Sequence, residues 1–354
     1  MGLDQTSGLT IGRGTPGPRN LISDVPGVTV GHVTIRDGGS VNTGVTAVLP
    51  HGGNLFRDKV MAASVVINGF GKTIGLVQVE ELGTIETPIL LTNTLSVGTA
   101  ATALVKYMLA QNEDIGRTAG TVNPVVCECN DGYLNDIRGL HVKEEHIFQA
   151  IAAARPDFAE GAVGAGTGMC CLGFKGGIGS ASRVVTLEER VFTVGALVLS
   201  NFGGPGRLMI DGRQVGRELQ GRTDGAQDRG SIIMLLATDI PLSERQLKRL
   251  CRRAGAGLAR TGSYYGSGSG DIAIAFTTAN RVPHGGPQAF VEMRMMSDER
   301  IDPVLALSAE AVEEAIVSAL YHAETTAGRD GRVRYGLREC LRKAGDPAGK
   351  KLYS

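Results

Sequence analysis

The junction Gly230-Ser231 has the makings of an activated nucleophile. A hydroxyl is weakly nucleophilic at neutral pH and needs a base beside it. Residues 219–230, LQGRTDGAQDRG, are polar, carry three glycines and show no hydrophobic period. They stop at Ser231, where Ile232-Ile233-Met234-Leu235-Leu236-Ala237 reads as a buried strand. If the Gly230-Ser231 bond is cut, Ser231 becomes an N-terminal residue with a hydroxyl and an amine on adjacent carbons, and that amine can serve as the base. Glycine on the acyl side leaves room for the hydroxyl to reach its own preceding carbonyl. A serine here that is never released is only a strand start or a cap.

Three glycine-rich segments invite a phosphate-binding reading and fail it on spacing. Gly71-Lys72-Thr73 resembles the end of a Walker A loop, but the first glycine that loop requires falls on Val66. Gly164, Gly166 and Gly168 are followed by Met169 where a dinucleotide fingerprint needs its third glycine. Gly266, Gly268 and Gly270 meet Asp271, an acid that would repel a phosphate. An uncleaved anion-binding protein using the 266–270 loop is thus the competing reading from a different class. The six cysteines (127, 129, 170, 171, 251 and 340) include two pairs too close for ordinary disulfides and no CxxC, so reduced thiols in a cytoplasmic protein are expected. Scattered histidines and the absence of HExxH argue against a metal.

The elements that must position these groups alternate. Strands are expected at 28–35, 46–49, 64–67, 73–80, 88–92, 122–129, 191–200, 232–237 and 272–276, with 191–200 central in a sheet. Helices are expected over 100–111 with Ser96 as N-cap and Leu104, Met108 and Leu109 inward, over 143–154, and over 309–323. Another follows the capping box Ser243-x-x-Gln246, with Leu247, Leu250, Cys251, Ala254 and Leu258 inward and a stop at Gly262. No fixed-period repeat occurs, so the class is α/β or α+β. The strand ending near Cys129 leads into a polar cluster of Glu128, Asn130, Asp131 and Tyr133.

Composition narrows the function classes. Of 354 residues, 51 are glycine and 42% are hydrophobic, which implies tight turns and close backbone approaches around a sizeable core. Basic and acidic residues balance at 36 each, so no long-range pull toward nucleic acid or anionic membrane exists. Tryptophan is absent and aromatics make up 5%, a poor stacking platform for single strands. No apolar run approaches membrane-span length, and the N-terminus lacks a secretory pattern, while Met1-Gly2 with Thr6 is only a chance-level myristoylation match. From Arg329 to Lys351 eight basic residues face three acids, which reads as a solvated tail.

Taken in order, several strings resemble the DmpA/BapA family of L-aminopeptidase/D-amidase-esterases and β-peptidyl aminopeptidases. They are Asn20-Leu-Ile-Ser-Asp-Val-Pro-Gly-Val-Thr-Val-Gly-His32, Glu128-Cys-Asn-Asp-Gly-Tyr-Leu-Asn-Asp136, Ser200-Asn-Phe-Gly203, Gly230-Ser-Ile-Ile233 and Gly268-Ser-Gly-Asp-Ile-Ala-Ile-Ala-Phe276. The resemblance implies one domain over 1–354, folded as a four-layer αββα sandwich like the N-terminal nucleophile hydrolases but differently connected. It implies self-cleavage into 1–230 and 231–354, assembly into a homo-oligomer (a tetramer of processed units), and no metal or organic cofactor. The substrate it implies is a small peptide, amide or ester bearing a free amine. Carried over by position, Ser231 is the nucleophile, Ser269 and Asp271 the hydroxyl and acid beside it, and Asn201 the oxyanion donor. Some members carry Glu where Asp271 stands. Tyr133 lines the pocket, and Glu128 holds the substrate amine with Asp131 as its rival. Cys127 and Cys129 would flank that pocket, at most as a route for thiol reagents. Related folds transfer acyl groups between amines with a threonine nucleophile, as ornithine acetyltransferases do, so an acyltransferase is an alternative against which Ser231 leans.

Overall fold

Two stacked β-sheets with helices on both outer faces make up the protein, whose computed structural model describes residues 11–219, 230–285 and 289–344. The strands are β1 (Thr29–Arg36), β2 (Asn42–Leu49), β3 (Asp58–Gly69), β4 (Thr84–Ile85), β5 (Ile89–Asn93), β6 (Val125–Cys129), β7 (Cys170–Cys171), β8 (Phe174–Lys175), β9 (Gly177–Leu187), β10 (Arg190–Asn201), β11 (Ser231–Thr238), β12 (Gly270–Pro283), β13 (Thr326–Ala327) and β14 (Val333–Arg334). The helices are α1 (Leu76–Leu82), α2 (Val97–Gln111), α3 (Glu144–Ala152), α4 (Val215–Glu218), α5 (Glu244–Arg260), α6 (Asp302–His322) and α7 (Leu337–Lys343). One sheet runs β1-β2-β5-β6 and the other β4-β3-β12-β11-β10-β9.

Period-two alternation explains the layering. On β11, Ile233 and Leu235 point between the sheets, where they meet Leu91, Cys127, Leu197, Leu199 and Ile274. Ile232, Met234 and Leu236 point the other way, onto Leu250, Ala254 and Leu258 of α5 and Val312, Ile316 and Ala319 of α6. Beyond the first sheet, Val45, Ala47, Leu90 and Val126 pack against Ala100 and Leu104 of α2 and Ile147 and Ile151 of α3. The order is therefore αββα, as expected. All eight residues of β11 are buried, which suits a strand covered on both faces. Close backbone approach accounts for part of the glycine excess: a Cβ on Gly179 of β9 would stand 1.9 Å from the Ala315 carbonyl oxygen of α6.

Several local expectations need correction. Residues 73–80 do not form a strand; helix α1 begins at Leu76, bracketed by Gly75 and Gly83 in left-handed conformation, and only Val79 of it is buried. Leu109 is exposed rather than inward. Ser96 makes no side-chain cap; Asn93 accepts from the Ser96 N–H instead. Helix α6 starts at Asp302, with Pro303 in its first turn, not at 309. The basic stretch is not a solvated tail as far as it is described: Arg334 is 3% exposed, and Leu337, Cys340 and Leu341 of α7 are buried. Lys350 and Lys351 lie outside the described residues, as do Met1 to Thr6 and residues 220–229 of the polar loop. The Ser243–Gln246 capping box of α5 is formed, each side chain bonding the other's backbone N–H.

Candidate active site

Ser231 is the first residue of β11 and lies directly across the antiparallel ladder from Asn201, the last residue of β10. Cross-strand partners share a face. Here that face continues the rows Ile233–Leu235 and Leu199–Leu197, so both polar side chains sit where the inter-sheet core opens at the end of the sandwich. Ser231 is 7% exposed, and its Oγ accepts the Gly270 N–H at 3.1 Å. Strand β12 runs parallel to β11 with Asp271 opposite Ile232. Ser269 donates its hydroxyl to Asp271 Oδ1 at 2.6 Å, and both are buried. The 266–270 loop is pinned from β3, where Asn68 Nδ2 donates to the carbonyls of Gly266 (2.9 Å) and Ser269.

Gly230 approaches the chain so closely that only glycine fits. A Cβ there would lie 1.7 Å from the Asn201 carbonyl oxygen and 2.6 Å from Phe202 Cα. The Asn201 side chain is oriented from both ends: Oδ1 accepts the Cys170 N–H at 2.9 Å, and Nδ2 donates to the Asn130 carbonyl at 3.0 Å. A primary amide has two N–H donors, so the second can serve a developing oxyanion.

Glu128, 3% exposed at the end of β6, accepts the Lys72 N–H at 2.8 Å on Oε1 and the Thr94 hydroxyl on Oε2. The Gly71-Lys72-Thr73 turn thus holds a side-chain carboxylate with its backbone. A Cβ on Gly71 would stand 3.6 Å from Glu128 Oε1 and 3.8 Å from Gly270 Cα, which sets the carboxylate close to the residue that bonds Ser231. Asp131 is elsewhere. It is fully buried, accepts from Asn135 Nδ2 at 3.0 Å, and burial raises its carboxyl to about 7.

Tyr133 and Asn201 line a cavity of about 520 Å³ together with Gly230, Asn130, Cys170, Arg332 and Arg334. Arg334 stacks 3.8 Å above the Tyr133 ring and donates to its hydroxyl at 2.7 Å. Ser231 and Asp271 adjoin this cavity's Gly230–Asn201 wall through the ladder, but neither they nor Glu128 on β6 line it.

Cys127 and Cys129 do not flank the opening. Both are wholly buried, and burial pushes their thiols up, that of Cys127 to about 12. The cysteine that lines the cavity is Cys170, which burial raises to about 11. Sequence reasoning also passed over Lys175. Fully buried, its Nζ donates to the carbonyls of Gly166 (2.9 Å), Met169 (2.8 Å) and Gly176 (2.7 Å), while burial lowers it to about 7. Those three bonds gather the turn that presents the Cys170 N–H to Asn201. For Arg332 and Arg334 a signal existed: alternate positions in Arg-Val-Arg fall on one face of an extended segment.

Residues 20–334 match peptidase family S58. The chain is 42% identical over 342 residues to the β-peptidyl aminopeptidase BapA of Sphingosinicella microcystinivorans, covering 90% of this chain and 85% of that one. Among solved structures, a protein of Pyrococcus horikoshii OT3 is 54% identical with a TM-score of 0.91, over 96% of this chain and 99% of that one. The L-aminopeptidase D-Ala-esterase/amidase of Ochrobactrum anthropi, described as a new variant among the Ntn hydrolase fold, is 39% identical with a TM-score of 0.87, over 96% and 98%. A buried serine heading a central strand, opposite an oriented amide and within a fold shared along nearly the whole chain, has one consistent assignment: the chain belongs to peptidase family S58.

Proposed function

We propose that the protein is a serine aminopeptidase and amidase-esterase that cuts its own chain between Gly230 and Ser231 and then removes N-terminal residues from small peptides, amides or esters. The observation that carries this reading is Ser231 heading β11 opposite Asn201, preceded by a glycine at a position that admits no side chain. In the first reaction the Ser231 Oγ attacks the Gly230 carbonyl. The Ser269–Asp271 pair flanking Gly270 supplies the acid–base unit, and Asn201 Nδ2 receives the developing oxyanion, a contribution of about 3–4 kcal/mol. Collapse breaks the peptide bond, and the acyl group passes from the Ser231 nitrogen to its oxygen. Water then hydrolyses the ester, leaving a Gly230 carboxylate and the Ser231 amine. That amine is the base for external substrates, which pass through the same acyl-enzyme. Glu128, set beside Gly270, holds the substrate ammonium by charge and hydrogen bonding; Asp131, enclosed and bonded to Asn135, stays in a structural network.

Both fragments remain in one domain, and processed units assemble further into a homo-oligomer, a tetramer. The exposed side chains of Phe290, Val291, Met293 and Met295 support that assembly. The cytoplasm is the compartment that suits six cysteines of which none forms a disulfide among the described residues. Mass measurement tests the reading. Under denaturing conditions the 37.0 kDa chain is expected as fragments of about 24 and 13 kDa, the smaller starting at Ser231, and under native conditions as a multiple of their sum. Ser231→Ala is expected to stay whole and inactive. A wild-type chain that remains at 37 kDa on long incubation overturns the proposal.

A further inference from the structure

Strand β12 lies between β3 and β11, and the Ser269–Gly270 peptide that opens it bonds to both neighbours. Its N–H donates to the Ser231 Oγ at 3.1 Å. Its carbonyl accepts the Asn68 Nδ2 and, at 3.3 Å, the Phe70 N–H. A trans peptide is planar, with carbonyl and N–H pointing in opposite directions, so holding the oxygen end on β3 fixes where the N–H points on the β11 side. Asn68 spends the other hydrogen of its amide on the Gly266 carbonyl at 2.9 Å. It thereby ties both ends of the 266–269 turn, which the Ser269 N–H closes on the same Gly266 carbonyl at 2.9 Å. Strand β3 is shaped for this contact. Val66 stands opposite Ile272 and Asn68 opposite Asp271, so Ile67 is an extra residue that re-aims the side chain after it.

We propose that Asn68 is a positioning residue for the nucleophile. It acts through the Ser269–Gly270 peptide, holding it so that the Gly270 N–H meets the Ser231 Oγ and the Ser269 hydroxyl stays on Asp271. The proposal rests on the serine aminopeptidase reading above and extends its machinery to β3, two strands away from β11. A hydrogen bond accepted by the carbonyl also polarises the peptide and strengthens its N–H as a donor. Without Asn68 each carbonyl keeps a backbone donor, the Phe70 N–H on Ser269 and the Ser269 N–H on Gly266. Neither is orphaned, so the cost of removal falls on orientation more than on folding. Glu128 is held by the Lys72 N–H and the Thr94 hydroxyl, so binding of the substrate ammonium does not pass through Asn68.

The test uses Asn68→Ala, Asn68→Ser and Asn68→Asp, and measures the rate of self-cleavage together with kcat and KM of the processed fraction for an alanine-headed dipeptide. Asn68→Ala is expected to slow self-cleavage and lower kcat about tenfold, the weight of one orienting hydrogen bond, with KM unchanged. Asn68→Ser, whose hydroxyl can donate to one carbonyl, is expected to recover part of that loss. Asn68→Asp keeps the volume but sets a carboxylate against two carbonyl oxygens, and is expected to be slower than Asn68→Ala. A residue that only filled space would show the reverse order. Wild-type rates in Asn68→Ala, an Asn68→Asp faster than Asn68→Ala, a raised KM with kcat unchanged, or loss of folding in all three variants overturns the inference and leaves the aminopeptidase intact. A wild-type protein that neither cuts itself nor hydrolyses the dipeptide overturns the aminopeptidase reading instead.

Discussion

Gly230 and Ser231 were legible because the signal is local: a polar stretch, a glycine and a serine abut a run of apolar residues that can only be a covered strand. The structure adds why the glycine is needed. With 1.7 Å between a would-be Cβ and the Asn201 carbonyl oxygen, Gly230→Ala must displace the scissile carbonyl by more than an ångström, because the obstacle is backbone. Misplacement on that scale costs reaction rates about 100-fold. Gly230→Ala is therefore expected to slow self-cleavage about 100-fold, read as the fraction of intact chain over time by gel or mass. Cleavage at the wild-type rate would show that the backbone at 230 is not held as described. Ser269, Asp271, Asn201 and Glu128 were legible only through resemblance, since nothing local distinguishes Glu128 from any acid at a strand end. Arg334 was misread because its charge suggested solvent. What buries it is Tyr133, 201 residues away in the chain, and no local pattern carries that.

Elements, more than single side chains, hold the site open to chemistry. Strands β10, β11 and β12 bring Asn201, Ser231 and Asp271 to one end of a sheet, and the parallel β11–β12 pairing is what places the Ser269–Asp271 pair beside the nucleophile. Long apolar runs made β10 and β11 readable, and a capping box followed by apolar residues at helical spacing made α5 so. The site's support was not, because the 164–176 segment is organised by a buried lysine and not by any period. Lys175 has three hydrogens on Nζ and spends each on a carbonyl, which requires the ammonium form in spite of burial. Lys175→Met would remove three charge-assisted hydrogen bonds worth about 1.5–3 kcal/mol each, although the Gly166 and Met169 carbonyls keep the Met169 and Gly176 N–H groups as donors, and the loss is offset by no longer burying a charge. The expected net loss is about 3 kcal/mol, seen as a fall of several degrees in Tm together with slowed self-cleavage, since the same turn supplies the Cys170 N–H to Asn201. A variant that melts and processes like wild type would remove Lys175 from this role. Residues 73–80 show the opposite failure: β-branched residues favoured a strand, but left-handed Gly75 and Gly83 delimit a single exposed helix, α1.

Across the whole molecule, the proposed cut falls at the start of a strand that the rest of the fold encloses. β11 pairs with β10 on one side and β12 on the other, and its two faces complete the inter-sheet core and the α5–α6 core. Four of the six strands in its sheet, β3, β4, β9 and β10, come from residues before the cut, and β11 and β12 come from after it. The first fragment keeps the β1-β2-β5-β6 sheet, but the six-stranded sheet is shared, with β11 and β12 inserted between β3 and β10, so the two fragments are expected to remain associated after the proposed cleavage and to separate only on unfolding. That converts unfolding from a unimolecular to a dissociative event. Stability then includes a mass-action term, and Tm becomes dependent on protein concentration. The processed wild type is expected to show a Tm that rises with concentration more steeply than that of uncut Ser231→Ala, which shares every other interface, including any between units. Equal slopes would mean that the fragments do not part when the protein unfolds, or that the chain was never cut; the masses of the two samples on denaturation distinguish these.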